Sequence, residues 1–117
     1  MIEIEKLVGD LTKKETMKVS ESLGKSIKED IEQNNVYVIV NPKYAVLCHV
    51  KGNSKNFDCY VFCDENGQLY TCGMINAGEN AVAYMREMET ESEDYALSFS
   101  FQISKKTGNK YIKCELL

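Results

Sequence analysis

From Ala96 to Ile103 the chain alternates without a break, Leu97, Phe99, Phe101 and Ile103 against Ala96, Ser98, Ser100 and Gln102, the period of a half-buried strand. Thr107-Gly108-Asn109 turns it back, and Lys110 to Leu117 alternates again, with Ile112, Cys114 and Leu116 inward and Tyr111, Lys113 and Glu115 outward. Two more runs rich in aromatic and β-branched residues flank Asp64-Glu65-Asn66-Gly67, whose glycine suits the positive φ of a three-residue hairpin loop with a bulge. If Glu65, Asn66 and Gly67 form the loop, Asp64 pairs with Gln68, Cys63 with Leu69, Phe62 with Tyr70 and Val61 with Thr71. Side chains alternate along a strand, so Tyr60, Phe62 and Tyr70 share one face and Cys59, Val61, Cys63, Leu69 and Thr71 the other. Neither face is clearly polar. Such a hairpin is either buried on both sides or covered on one and offering rings to a ligand on the other.

Other segments follow from the same patterns. Residues Ile2 to Val8 read as a short strand, with Ile2 and Ile4 on one face, or as a frayed helical turn, closed by Gly9-Asp10. Thr12 and Glu15 have capping-box spacing, and Val19, Leu23, Ile27 and Ile31 recur every four residues, which favours one amphipathic helix; Gly24 and its flanking serines leave strand-then-loop open. Asn34-Asn35 stops that segment. VYVIVNPKYAVLCHV then reads as one long strand bent at Asn41-Pro42, because proline cannot donate into a central ladder. Asn76 is a helix cap, with Glu79 reaching back and Ala77, Ala81, Met85 and Met88 forming an apolar stripe flanked by Val82 and Tyr84, in a helix over 77–89.

Length and composition narrow the class. With 117 residues, 44% hydrophobic and 27% charged, the chain suits one domain, 1–117, with an N-terminal segment over 1–34 and a β-rich body over 35–117. The longest apolar run, Val36 to Val40, is too short to span a bilayer, and MIEIEKLV lacks the basic and hydrophobic regions of a secretory signal. The expectation is a cytoplasmic protein. Cys48, Cys59, Cys63, Cys72 and Cys114 are odd in number and form no CxxC pair. Cys59 and Cys63 share a face but lie about 13 Å apart along a strand, too far to share a metal. All five read as reduced packing residues, without metal or other cofactor.

The net charge is −4, yet its distribution is uneven. Glu79, Glu87, Glu89, Glu91, Glu93 and Asp94 stand against Arg86 alone, whereas KGNSKN and SKKTGNK carry Lys51, Lys55, Lys105, Lys106 and Lys110 and no acid. From Val36 onward the order is bent strand, two-stranded hairpin, helix, two-stranded hairpin. This predicts an α+β, mainly β fold: a five-stranded antiparallel OB-like barrel with one helix between its third and fourth strands. In that arrangement KGNSKN and SKKTGNK occupy the two loops with which an OB-fold grips its ligand.

TMKVSESLGKSIKEDIE, the VYVIV strand, FDCYVFCDENGQLYTCG, a helix and FQISKKTGNKYIKCELL together resemble small bacteriophage proteins that bind single-stranded DNA during replication. The resemblance covers roughly Thr16 to Leu117 and is carried most by DENGQLY and SKKTGNKYIKCEL. It implies sequence-independent binding of single-stranded DNA or RNA in replication or recombination, inside a host bacterium. The chain departs from many single-strand binders in ending with KCELL, a strand, where they carry an acidic tail, so recruitment of partners through such a tail does not carry over.

Binding of this kind needs cations along the phosphates and aromatic faces for the bases. Lys51, Lys55, Lys105, Lys106 and Lys110 are candidates for the first and Tyr60, Phe62 and Tyr70 for the second, with core packing the competing role for those rings. Tyr37 and Tyr111 are outward-facing candidates on neighbouring strands, and Phe99 and Phe101 read as core. Catalysis is not expected: His49, the single histidine, adjoins Cys48 on a strand, so the two point to opposite faces and cannot form a couple. The competing class is an inhibitor of a host defence complex whose EMETESED stretch mimics phosphates towards a protein partner. A third is an assembly module whose strand edges pair with copies of itself as a homo-oligomer.

Overall fold

A computed structural model describes residues 2–34 and 36–117; Asn35, half of the expected Asn-Asn stop, lies outside the described residues. The elements are β1 (Ile2–Val8), α1 (Lys13–Glu21), β2 (Lys25–Ser26), α2 (Ile27–Asn34), β3 (Val36–Val40), β4 (Tyr44–Lys51), β5 (Asn56–Cys63), β6 (Leu69–Cys72), α3 (Ile75–Met88), β7 (Ala96–Ile103) and β8 (Lys110–Leu116). The class is α+β, mainly strand.

β3 and β4 are the expected bent strand, interrupted at Asn41, whose φ is +45°. Asparagine is one of the few residues that visit this left-handed region, and here its carboxamide is held by two distant segments, donating to Glu65 (2.9 Å) and accepting from the Tyr95 N–H (3.0 Å). The bend sends β3 and β4 into different sheets. One has five strands in the order β1-β4-β5-β6-β2, the other three in the order β3-β7-β8. The hairpin register is the expected one: Cys63 faces Leu69, Phe62 faces Tyr70 and Val61 faces Thr71, with the Asp64 N–H on the Gln68 carbonyl and Gly67 at φ +87°.

The sheets do not close into a barrel. The free side of β6 takes the short parallel strand β2, and α3 packs along β8, so β6 and β8 are not partners. The resulting body measures 44 × 43 × 22 Å, a slab. The expected OB-like barrel is corrected on this point, although β4-β5, β5-β6, β3-β7 and β7-β8 all pair antiparallel. The cause is residues 2–34, which supply two strands to the larger sheet and the helix α2 to the core.

That segment also departs from a single helix. Thr12 and Glu15 do form the capping box of α1, their reciprocal bonds measuring 3.0 and 3.1 Å. The helix stops at Ser22, Gly24 turns the chain at φ +81°, and α2 begins at Ile27. Val19 therefore packs on one side of the larger sheet, while Ile27 and Ile31 pack on the other. Around Val19 lie Leu11, Tyr44, Val46, Cys48, Cys59, Val61 and Cys63; around Ile27 and Ile31 lie Tyr60, Phe62, Tyr70, Leu97, Phe99 and the buried face of α3. α3 starts at Ile75, two residues before the expected position, and Asn76 is inside it rather than capping it; Met74 holds the cap position without a side-chain bond. Ala77, Ala81 and Met85 of the expected stripe are buried together with Val82 and Gly78, where a Cβ would overlap the Tyr60 ring, while Met88 is only half-buried.

Candidate nucleic-acid interface

The two acid-free lysine loops each close a hairpin, at the end of a different sheet. KGNSKN joins β4 to β5 and SKKTGNK joins β7 to β8. In the second, the Ser104 N–H donates to the Asn109 carbonyl (2.9 Å) and the Gly108 N–H to the Ser104 carbonyl (2.8 Å), with Gly108 at φ +72°. This tight turn leaves Lys105, Lys106 and Lys110 exposed, the last with its ammonium 4.8 Å from the centre of the Phe101 ring. Lys55 is exposed as well. Lys51 is different: its ammonium donates to Glu3 on β1 at 2.8 Å, so part of its charge is already neutralised.

The hairpin rings are not at the surface. Tyr60, Phe62 and Tyr70 are 7, 0 and 6% exposed and fill the core between the two sheets, Phe62 lying 6.0 Å from Phe99. The Tyr70 hydroxyl donates to Asp64 (3.0 Å) and its ring meets Tyr37 at 4.9 Å, so Tyr37 is also taken up by packing. Burial holds the Tyr70 phenol well above its ordinary pKa, with the adjoining Tyr37 and Asp64 acting in the same direction. Rings held in this way have no free face for a base, and of their two expected roles the structure gives them core packing. The reason is non-local: the smaller sheet, which covers them, joins β3, which precedes the hairpin in the chain, to β7 and β8, which follow it beyond α3.

The exposed rings stand elsewhere. Tyr111, outward on β8 as expected, is 43% exposed at the root of the SKKTGNK loop, and Phe57 is 47% exposed beside KGNSKN at the start of β5. Tyr111 and Ile112 form one wall of a groove of about 270 Å³ whose other wall is Gly73, Met74, Ile75, Asn76 and Ala77. That second wall is the N-terminus of α3, which has no side-chain cap and no acid in its first turn, so its opening N–H groups and the positive end of the helix dipole face outward. The sequence does not single out Phe57, because it falls at a strand end, where an aromatic run gives no sign of which ring the core leaves out.

Of the acids, Glu79 is exposed on α3 two residues beyond the groove wall, and the others come later in the chain. Glu87 is in the last turn of α3, while Glu89, Glu91, Glu93 and Asp94 follow it in the connection to β7, all exposed. The acidic stretch is thus mostly a loop and not a helical face.

Beyond the packed part of the larger sheet, β1, β4 and β5 bring together a charged cluster that no single segment announces. His49 Nδ1 is 2.7 Å from Asp58 and Nε2 is 3.8 Å from Glu5, next to the Lys51–Glu3 pair. Cys48 points to the opposite face, as expected for neighbouring strand residues. The hydrogen bond to Asp58 raises the His49 pKa above its ordinary value, with Glu5 and Glu3 adding to it. A raised histidine pKa means that its contribution to stability is complete below the unfolded value near 6.5 and is lost as pH rises through the folded value. The parent chain is expected to show a small fall in thermal midpoint between pH 6 and pH 8.5, followed by circular dichroism, and His49→Gln to abolish it; an unchanged pH profile in the variant would show that other groups produce it. Among the described residues no group of three His, Cys, Asp or Glu side chains is placed to hold a metal ion.

Neither a protein-family model, nor a curated relative, nor a solved structure matches this chain. Among the described residues no helix is long and apolar enough to cross a membrane.

Proposed function

We propose that this protein binds single-stranded nucleic acid without sequence preference, as its resemblance to small phage single-strand binders implies, and that the groove between Tyr111 and the start of α3 is the principal contact. The observation that carries the reading is one groove lined by an exposed ring and an open helix N-terminus, with the acid-free lysine loop directly preceding that ring in the chain. A base stacks on Tyr111, and phosphates meet Lys105, Lys106 and Lys110 and the first N–H groups of α3. Phe57 with Lys55 forms a second, smaller station of the same kind at the end of the other sheet. The antiparallel pairings β3-β7, β4-β5 and β7-β8, which an OB-like order also has, support the reading. The chemistry is binding and not catalysis.

The test is a fluorescence-anisotropy titration against labelled oligo-dT and a matched duplex at two salt concentrations. Micromolar or tighter binding to the single strand is expected, with a log-log salt slope of roughly −0.7 per neutralised phosphate. Tyr111→Ala is expected to weaken binding about 5- to 150-fold, the range corresponding to about 1–3 kcal/mol for one stacked base. Lys105→Glu with Lys106→Glu should weaken it further and flatten the salt slope. Absence of binding at low salt overturns the proposal. The exposed acids 87–94 would then be the surface to test with a protein partner.

A further inference from the structure

Cys48 on β4 and Cys59 on β5 stand directly opposite each other in the antiparallel ladder, a juxtaposition that depends on a strand pairing across the KGNSKN loop. Their pair is of the hydrogen-bonded kind. Gly52 donates to the Lys55 carbonyl at 3.2 Å, and counting inward by twos reaches Val50 with Phe57 and then Cys48 with Cys59. Such pairs hold their Cα atoms roughly 5.5 Å apart, inside the roughly 4.4–6.8 Å that a disulfide spans. The other cysteines have different cross-strand partners: Cys63 faces Tyr44 and Leu69, Cys72 faces Tyr60, and Cys114 faces Phe99.

We propose that Cys48 and Cys59 are a dithiol site that low-molecular-weight disulfides oxidise to an intrachain cross-strand disulfide. Both thiols are in the reduced form in this structure and lie on the side of the sheet that α1 covers. Cys59 is the attacking group. The Cys48 thiol faces it across the ladder, which holds the Cys59 pKa below that of an ordinary thiol and pushes that of Cys48 up. Cys59 also sits where β5 outruns β6. The ladder ends at Tyr60 with Cys72, so the next position beside Cys59 falls to Gly73, where even an added Cβ would touch nothing within 4 Å. The path to the sulfur is therefore a local opening at a sheet end and does not require the core to unfold.

The exchange balances without a further reagent. The Cys59 thiolate attacks one sulfur of the small disulfide, forming a mixed disulfide and expelling one thiolate, which takes up a proton. Cys48 then gives up its proton and attacks the Cys59 sulfur, expelling the second small thiol. Two electrons pass from the two cysteines to one reagent disulfide, which leaves as two thiols.

The test uses the full chain, natively folded, incubated with oxidised glutathione and quenched with a maleimide. Reactive thiols, counted after denaturation, are expected to fall from five to three, with the intact mass lower by two hydrogens before labelling and one cross-linked peptide joining Cys48 to Cys59. Dithiothreitol should restore all five. Cys48→Ala should instead stop at a glutathione adduct on Cys59, and Cys114→Ala should oxidise as the parent does. Five remaining thiols after native incubation, a stable adduct in the parent chain or a cross-link through another pair would each overturn the proposal.

Discussion

Phe62→Ala is expected to lower the unfolding free energy by about 3–5 kcal/mol, a large share of the roughly 5–15 kcal/mol that holds a domain of this size folded. The ring is fully buried and sits where the sheets meet, 6.5 Å from Tyr60 and 6.0 Å from Phe99. Its removal takes away the transfer free energy of the ring and leaves a cavity bounded by β-sheet on two sides, which cannot collapse far. Urea unfolding followed by circular dichroism measures the effect. The two roles considered for this ring predict different results: a base-stacking surface ring would lose affinity for oligo-dT and almost no stability, whereas a core ring loses stability first. A change under about 1 kcal/mol would contradict its place in the core.

Gly24→Ala has a sign that separates one long helix from two short ones. Within a continuous helix over 12–34, alanine would stabilise by roughly 0.8–1.0 kcal/mol relative to glycine. In this structure Gly24 holds φ +81° between α1 and β2, and a Cβ would overlap the Leu69 carbonyl on β6. The left-handed backbone costs an alanine roughly 1–2 kcal/mol, and forcing the Leu69 backbone aside adds roughly 1–3 kcal/mol, so destabilisation of about 2–5 kcal/mol is expected. The contacts that would give way are the parallel β2-β6 pair and the hydrogen bond from the Thr71 hydroxyl to the Leu23 carbonyl. A rise in the urea midpoint would restore the single-helix reading.

Wherever a residue's partner lies nearby in the chain, its place was legible beforehand. The capping box of Thr12 and Glu15, the hairpin register around Gly67 and the alternation of β7 are local: a turn or cap within a few residues sets the dihedrals, and side-chain period does the rest. Exposure of the lysines in SKKTGNK is local in the same sense, since a tight turn cannot bury them. The rings were harder. Tyr60, Phe62 and Tyr70 on one side and Tyr111 and Phe57 on the other differ little in their surroundings along the chain, and what separates them is whether another sheet lies above.

By itself the amino-acid sequence determined the strands from Val36 onward, their turns, most of the stripe of α3 and the segregation of lysines from acids, because each depends on periodicity or on residues that are neighbours in the chain. The tertiary structure alone decided that the sheets stay open, that α1 and α2 fall on opposite sides of one sheet, that His49 meets Asp58 and Glu5, and that Cys48 faces Cys59. These are contacts between distant segments. Their free energy comes from burying faces that several alternative pairings would bury almost as well, and only the assembled chain shows which pairing leaves no apolar face of the larger sheet uncovered at its centre.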